Sequence, residues 1–291
     1  MISMAGKAIR RWWALFALPT FAAFIIGFLV PFIMGVYLSF CEFTTVTDGE
    51  WVGLKNYGKA LKDKEFLHAL GFSTAFTIVT TIVINVIAFT IAYMLTKAIK
   101  GSTLFRSVFF MPNLIGGIVL GYVWKFVFNR AFVAVAEAAT QTDHASLLST
   151  PNGAMLCLIL VSVWQYAGYM MLIYVAGFMS VDQSLKEAAM IDGCNKGKAM
   201  WHVVIPLMRS SFVQCIFLST TRCFMVYDLN LSLTKGEPFN QSVLAAMHVY
   251  NQAFVYKNYG TGQAEALVLF IVCAVIGLLQ VYVGKKGEVE A

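Results

Sequence analysis

Charged side chains are scarce in this sequence of 291 residues: they make up 12% of it, whereas 59% of the residues are hydrophobic. Soluble globular domains contain about 25% charged and about 45–50% apolar residues. With so few charges, the chain cannot cover a surface that faces water. The composition therefore predicts a membrane protein and excludes most soluble enzymes and nucleic-acid-binding modules.

Motifs for catalysis and metal binding are also missing. The sequence has no C-x-x-C pair, no G-x-S-x-G, no H-E-x-x-H and no dinucleotide fingerprint, and its four histidines lie far apart. The segment from Gly193 to Lys198 resembles a P-loop only faintly, because three residues separate its glycines and Ala199 follows its lysine. We therefore predict no catalytic residue, no metal ligand and no cofactor in this chain. The scattered cysteines are expected to be buried, reduced thiols.

Long apolar runs with few or no charges dominate the chain. Backbone groups in hydrocarbon must form hydrogen bonds within their own segment, so each run is expected to be a helix. Gly117-x-x-x-Gly121 would let one of these helices approach a neighbour closely. The sequence predicts a single all-α membrane domain over 1–291 with six spans, at about 12–41, 69–96, 107–128, 153–180, 207–232 and 263–283.

The charges between these runs predict the orientation. If the N-terminus is cytoplasmic, the inner segments hold most of the Lys and Arg, and the outer segments hold most of the Asp and Glu. The inner cations include Lys7, Arg10, Arg11, Lys97 and Lys100. We read the net charge of +6 as this topology signal and not as a sign of nucleic-acid binding. Both termini of a multi-pass protein in lipid are therefore expected to be cytoplasmic.

One inner loop, at about 182–206, differs from the other connections. It predicts a short helix that ends at Gly193, where glycine suits a left-handed cap, and then a second short helix. A solvated loop helix would account for its charges but not for the small, apolar face that contains Ala188 and Ala189. Docking to a cytoplasmic partner accounts for both, so we expect this loop to be an interaction surface.

The same loop resembles a known motif. Glu187-Ala188-Ala189, Asp192-Gly193 and Ile205-Pro206, at this spacing, are similar to the EAA loop in the membrane subunits of binding-protein-dependent ABC importers. Further segments resemble the first permease subunit of the sugar-type importers. Glu237 departs from the usual glycine of an outer G-G-P turn, and Cys194 departs from an alanine. The similar segments are 53–57, 106–112, 164–170, 175–177, 233–238 and 259–264.

This resemblance implies a type I ABC importer permease fold in the bacterial cell (inner or plasma) membrane. The chain would pass a sugar or oligosaccharide delivered by an extracytoplasmic binding protein, and would itself catalyse no reaction. Its partners would be a second homologous permease and two cytoplasmic ATPases, which bind ATP and Mg. The residues that the resemblance implies in coupling to the ATPase are Glu187, Ala188, Ala189, Asp192 and Gly193.

Polar residues inside the spans are the remaining candidates. Arg222 and Asp228 lie in or near the outer half of the fifth span, where charges usually face protein or water. They would form an interhelical ion pair, or one would extend its side chain to the outer interface, or one would border the substrate pathway. Aromatic residues there would either pack between helices or stack against a sugar. The candidate pathway residues are Tyr166, Tyr169, Arg222, Tyr227, Asp228 and Asn230.

Two alternatives stay open at this point. The same machine would also suit glycerol phosphodiesters or another polar solute. An ion-coupled secondary transporter would instead show paired ionisable residues near the bilayer midplane or repeated discontinuous helices, and only Arg222 and Asp228 approach that pattern.

Overall fold

The computed structural model describes residues 15, 17–45, 47–97, 101–140 and 145–286. The first residues of the predicted first span, 12–14 and 16, lie outside this part of the chain. So do Lys7, Arg10, Arg11 and Lys100, four of the cations on which the predicted orientation depends.

Apart from one small hairpin, the regular structure of the described residues is helical, in agreement with the predicted all-α class. The hairpin pairs β1 (Cys41–Glu42) with β2 (Glu50–Trp51) in antiparallel register. The helices are α1 (Ala17–Leu38), α2 (Lys55–Ala60), α3 (Lys64–Thr96), α4 (Ser102–Phe110), α5 (Gly117–Thr140), α6 (Pro151–Ser180), α7 (Gln183–Ile191), α8 (Lys196–Leu207), α9 (Arg209–Phe224), α10 (Asp228–Leu233), α11 (Ala245–Tyr250) and α12 (Tyr259–Lys285).

Five of these helices, α1, α3, α5, α6 and α12, are long and apolar enough to cross a membrane. A sixth span results if α8 and α9 count as one, and these two helices meet at an angle of 68°. Their junction is Met208, two residues after Pro206. The described residues thus agree with five to six membrane helices, where six were predicted.

The predicted third span, 107–128, is interrupted near its start, as Pro112 predicted. Helix α4 ends at Phe110, a single 3-10 turn follows at Met111–Leu114, and α5 begins only at Gly117. Pro112 cannot donate a backbone hydrogen bond, and Gly116 adopts an extended conformation, so the α-helix is interrupted here. The membrane-length helix is therefore Gly117–Thr140, about ten residues further along the chain than predicted.

The predicted fifth span, 207–232, is also divided. Helix α9 ends at Phe224, and α10 begins at Asp228 after three non-helical residues. Helices α5 and α10, which follow the two interruptions, pack closely together. A Cβ on Gly121 would overlap the Ser232 side chain, and the Ser232 hydroxyl donates to the Gly117 carbonyl at 3.2 Å. The predicted close approach at Gly117-x-x-x-Gly121 is confirmed, and its partner is α10.

Contacts divide the chain into two compact units, 1–63 with 249–268 and 64–248 with 269–291. In the first unit, α1 has no buried residue in its most apolar stretch. The Asn56 amide donates to the carbonyls of Ser39, at 3.1 Å, and Cys41, at 2.8 Å, and so fixes the hairpin to α2. Thr44 and Thr45, which donate to Asp48, lower the pKa of its carboxyl to about 2.

The second unit contains a core of α3, α6 and α9 around a small polar network. The Tyr174 hydroxyl donates to the Asn85 side chain at 2.8 Å, and the Asn85 amide donates to the Ser219 hydroxyl at 2.9 Å. Phe89 and Phe212 pack against the Tyr174 ring.

All six cysteines are free, and those at 41, 157, 215 and 223 are buried, as expected for small core residues.

A first prediction concerns the contact between α4 and α6. A Cβ on Gly168 would overlap the Phe109 carbonyl, which is backbone and cannot rotate away. We expect Gly168→Ala to destabilise the protein by about 1–3 kcal/mol, the usual cost of overpacking. Thermal unfolding in detergent measures the effect.

Gly71→Ala is the matched control for this substitution. Gly71 is also helical, but nothing lies within 4 Å of the position of its Cβ. Its replacement should leave stability unchanged or raise it slightly, because alanine is the better helix former. Equal thermal stability of the two variants would contradict the close contact at Gly168.

Candidate coupling surface and translocation cavity

Helix α7 is the predicted first helix of the inner loop, and both of its ends are capped. The Asp182 carboxylate accepts from the Ser184 backbone amide at 2.9 Å, and this bond holds the pKa of Asp182 below its usual value. Gly193 follows the helix with φ of +85°, a conformation that glycine adopts without strain. The Cys194 amide donates to the Ala189 carbonyl at 3.0 Å and closes the turn. The predicted cap at Gly193 is confirmed.

The two alanines of the motif have different surroundings. Ala189 is buried against its own chain, whereas Ala188 and Glu187 are exposed. Ile191, which is 86% exposed, extends the exposed surface by one turn, and Trp201 in α8 is 70% exposed. Ile191 was not predicted to belong to this surface, although an isoleucine beside the motif in a charged loop indicates an apolar contact with a partner.

The ends of two core helices support this loop. A cavity of about 230 Å³ lies between α7, α8 and the ends of α3 and α6. Tyr93, Phe178 and Met200 form part of its apolar wall, and the Lys186 ammonium donates to the Phe178 carbonyl at 3.5 Å. A displacement of α7 would therefore act directly on the ends of α3 and α6.

A second cavity, of about 320 Å³, lies where the third and fifth predicted spans are interrupted. Arg222 is its central cation: one guanidinium nitrogen, Nη1, donates to the Asn113 side chain at 2.7 Å. The guanidinium also lies over two rings, 4.7 Å from the centre of Tyr169 and 5.4 Å from that of Tyr166. These contacts fix the charge in place and leave other N–H groups able to bind a solute.

Asp228 and Tyr227 line the same cavity, but Asp228 forms no ion pair with Arg222 among the described side chains. The Asp228 side chain instead lies against Gly117, at the first turn of α5, where a helix N-terminus favours negative charge. Among the described side chains, neither Arg222 nor Asp228 is in an ion pair.

Two candidates, Tyr169 and Asn230, do not line this cavity, and Tyr169 reaches it only through its contact with Arg222. Asn230 has a different role. It is completely buried, and its amide donates to the Thr234 hydroxyl and the Ser242 carbonyl, both at 2.8 Å. Its side-chain oxygen accepts from the Leu244 amide at 2.9 Å. All of these hydrogen bonds connect Asn230 to the loop that follows α10, so Asn230 holds this loop in place.

Two residues at the cavity were missed by the sequence analysis. Asn113 binds Arg222, and Gln165, also a lining residue, donates to the Ile115 carbonyl at 3.0 Å. Ile115 is at the interruption, where this carbonyl lacks a helical partner. A glutamine in the middle of an apolar span was a signal that could have identified Gln165.

Helices of membrane length, a polar cavity at helix breaks and an exposed, supported loop helix define a membrane transport component. Residues 99–287 match the family described as binding-protein-dependent transport system inner membrane component. The chain belongs to this family, whose members are transport permeases and not enzymes, as predicted.

Several proteins are similar to this chain over almost its whole length. It is 36% identical to the probable starch degradation products transport system permease protein AmyD of Thermoanaerobacterium thermosulfurigenes, with 96% of both chains covered. It is 31% identical to the multiple sugar-binding transport system permease protein MsmF of Streptococcus mutans, with coverage of 97% and 99%. The fold is similar to a chain of a bacterial ABC transporter that imports the acidic polysaccharide alginate: the TM-score is 0.82 at 18% identity, covering 98% and 99%.

Proposed function

We propose that this chain is the permease subunit of an ATP-driven importer and that it translocates a sugar or oligosaccharide. The exposed surface of α7 supports this most directly. Ile191 is 86% and Leu185 is 41% exposed on a short loop helix, although burial of such side chains is favourable. Apolar side chains beside an exposed glutamate suit a protein partner and not free solution.

The proposed partner at this surface is a cytoplasmic ATPase, which binds ATP and Mg²⁺ itself. Glu187, Ala188, Asp192 and Gly193 lie on the exposed side or at the exposed end of α7 and would contact or shape the docking surface. Ala189 is buried, so its role would be to let α7 pack closely on its own chain. Two ATPases, one for each of two homologous permeases, would close together and move α7 with them. Both termini would then be cytoplasmic.

The proposed cargo follows from the second cavity and from the relatives. Arg222 and Asp228 contribute one cation and one anion, while Asn113 and Tyr227 contribute neutral polar groups. Such a mixture suits the hydroxyl groups of a neutral sugar. The aromatic rings of Tyr166 and Tyr169, which lie beside Arg222, would offer faces for a sugar ring to stack on. The names of AmyD and MsmF, which refer to starch degradation products and multiple sugars, agree with this class. Glycerol phosphodiesters remain the alternative cargo.

Uptake into proteoliposomes tests the proposal. The chain is reconstituted with its second permease and ATPase, and purified binding protein is added outside. We expect uptake of labelled starch-derived oligosaccharides that requires internal Mg-ATP and the binding protein, and that survives collapse of ion gradients. Uptake that continues without ATP but stops when the gradient collapses would instead indicate a secondary transporter. Preferential uptake of glycerol phosphodiesters in the same panel would contradict the sugar assignment alone.

A further inference from the structure

The cavity between α7, α8 and the ends of α3 and α6, which we call the loop cavity, combines apolar walls with charge of one sign. Among the described residues, Lys186 and Lys196 line it, and no Asp or Glu does so. A third ammonium, that of Lys97, lies 4.4 Å from the ring centre of Tyr93, which is itself a lining residue. The loop cavity therefore offers positive charge beside apolar surface.

The loop cavity and the proposed coupling surface are on different, adjoining faces of α7. Gln183, Lys186 and Met190 line the cavity, and their spacing of three and four residues places them on one side of the helix. Glu187 and Ile191, four residues apart, belong to the exposed face and do not line it. A partner that docks on Glu187 and Ile191 therefore leaves the cations of the cavity unexplained.

Both lining lysines have hydrogen-bond donors that are not used within the described chain. The Lys186 ammonium has three N–H groups, and one of them donates to the Phe178 carbonyl at 3.5 Å. Among the described side chains, no ion pair includes Lys186 or Lys196. Lys186 is half-buried, and burial of a charge is costly unless the charge is paired. An anion in the loop cavity would supply that pairing.

The acidic residues of α7 and its cap do not supply this anion. The Asp182 carboxylate accepts from the Ser184 backbone amide at 2.9 Å, and the Glu187 carboxylate accepts from the Gln183 side chain at 3.2 Å. Neither acid forms an ion pair with Lys186 among the described side chains. The described residues therefore leave room in the cavity for the negative charge of a ligand.

The position of the loop cavity indicates the source of such a ligand. Tyr93 is in the last turn of α3 and Phe178 in the last turn of α6, and both of these helices are long enough to cross a membrane. Met94 and Met179, which follow these two residues in the chain, are exposed. At the ends of membrane helices, the phosphate groups of lipids lie beside the protein and their acyl chains extend along it. Cations next to apolar walls match these two parts of a lipid.

We propose that the loop cavity binds the phosphate group of an anionic phospholipid. Lys186 and Lys196 would pair with the phosphate, and the apolar wall that includes Tyr93 and Met200 would contact the first carbons of the lipid. Basic pockets between membrane helices bind anionic head groups in other proteins. The bound lipid would connect α7 and α8 to the ends of α3 and α6. This site goes beyond the proposed function and does not depend on it.

The test measures lipid binding to the purified full-length chain in non-ionic detergent by native mass spectrometry. Phosphatidylglycerol is the anionic probe, and phosphatidylcholine, whose phosphate is balanced by its own cation, is the neutral one. Each lysine near a membrane surface strengthens binding of an anionic lipid about fivefold. We expect phosphatidylglycerol to bind about tenfold or more tightly than phosphatidylcholine, and Lys186→Gln and Lys196→Gln each to weaken its binding about fivefold.

Lys198→Gln is the matched control. Lys198 is exposed in α8, two residues after Lys196, but it does not line the loop cavity. Its replacement removes the same charge from the same helix and should leave the affinity within about twofold of wild type. Lys196→Arg retains the charge and should also stay within about twofold. Because Lys196 is exposed, Lys196→Gln should fold normally, which the unfolding temperature checks.

Three results would overturn this assignment. Equal losses of affinity in Lys196→Gln and Lys198→Gln, or no loss in either, would show that the lipid does not use the loop cavity. Equal binding of the two lipids would exclude recognition of charge. Displacement of phosphatidylglycerol by inorganic phosphate at a similar concentration would identify a site for free anions and not for lipid. None of these measurements involves an ATPase or a binding protein, so failure of the lipid site leaves the proposed function untouched.

Discussion

Replacement of Gly193 by valine should reduce ATP-driven uptake roughly tenfold or more, since each 1.4 kcal/mol lost from a docking contact weakens binding about tenfold. Gly193 has a φ of +85°, and a β-branched residue there costs of order 1–3 kcal/mol. Nothing lies within 4 Å of the position of its Cβ, so the effect comes from the backbone and not from a clash. The end of α7 would shift, and with it the surface formed by Glu187 and Ile191.

Gly193→Asn separates this cause from a general effect of mutation. Asparagine tolerates the left-handed conformation, so most of the uptake should remain. Uptake, membrane insertion and ATP hydrolysis are measured for each variant, and insertion should be normal in both. The expected mark of uncoupling is ATP hydrolysis that no longer drives uptake.

Glu187→Ala tests the same surface from its exposed side. Glu187 is exposed, and its side chain accepts from Gln183 at 3.2 Å, so its removal exposes no buried group. Gln183→Ala breaks the same hydrogen bond but leaves the carboxylate, and it should preserve uptake. If uptake in proteoliposomes survives both Gly193→Val and Glu187→Ala, the coupling assignment is wrong.

Replacement of Arg222 by alanine has the second large expected effect. The guanidinium is bound by Asn113 and stacked on Tyr166 and Tyr169, an arrangement that a lysine cannot reproduce. We expect roughly a tenfold or greater loss of uptake for Arg222→Ala, because a hydrogen bond to a charged group is worth about 1.5–3 kcal/mol. Arg222→Lys should recover only part of this loss.

Arg130→Ala is the control for the loss of one positive charge, because Arg130 is exposed. It should leave uptake within about twofold of wild type, since exposed charges away from a site contribute little. Basal ATP hydrolysis should be retained in Arg222→Ala, because Arg222 is in the last turn of α9, at the end away from α8 and the proposed coupling surface. Full uptake by Arg222→Ala, in folded protein, would exclude this cavity from the pathway.

The apolar runs predicted the class of the fold, and the local chemistry of the inner loop predicted its helix and its Gly193 cap. Both follow from effects that act over a few residues. Pro112 predicted the interruption near the start of the third span, because proline has no backbone N–H to donate. The interruption at Met225–Tyr227 was missed, because hydropathy does not distinguish one long helix from two shorter helices in contact. The Gly117-x-x-x-Gly121 pattern predicted a close approach, but Ser232 is more than 100 positions away, and no local pattern identifies it as the partner.

At the candidate cavity, too, the sequence predicted local properties of residues but not their contacts with distant ones. The sequence identified Arg222 and Asp228 as charges in an apolar context, but it could not decide whether they form a pair. Asn230 was selected for its amide alone, and only the structure shows that this amide supports the outer loop. Residue type therefore predicted which side chains are polar and costly to bury, while their partners depend on the packing of distant helices.

The cysteines have a practical consequence for following the coupling loop. Four of the six are buried, Cys273 is in the membrane-length helix α12, and Cys194 is partly exposed directly after Gly193. A water-soluble maleimide therefore has a native attachment point at the proposed coupling surface without any engineered thiol. If an ATPase docks there as proposed, a fluorophore or spin label at Cys194 would report its arrival in real time, in a chain whose own sequence is unchanged.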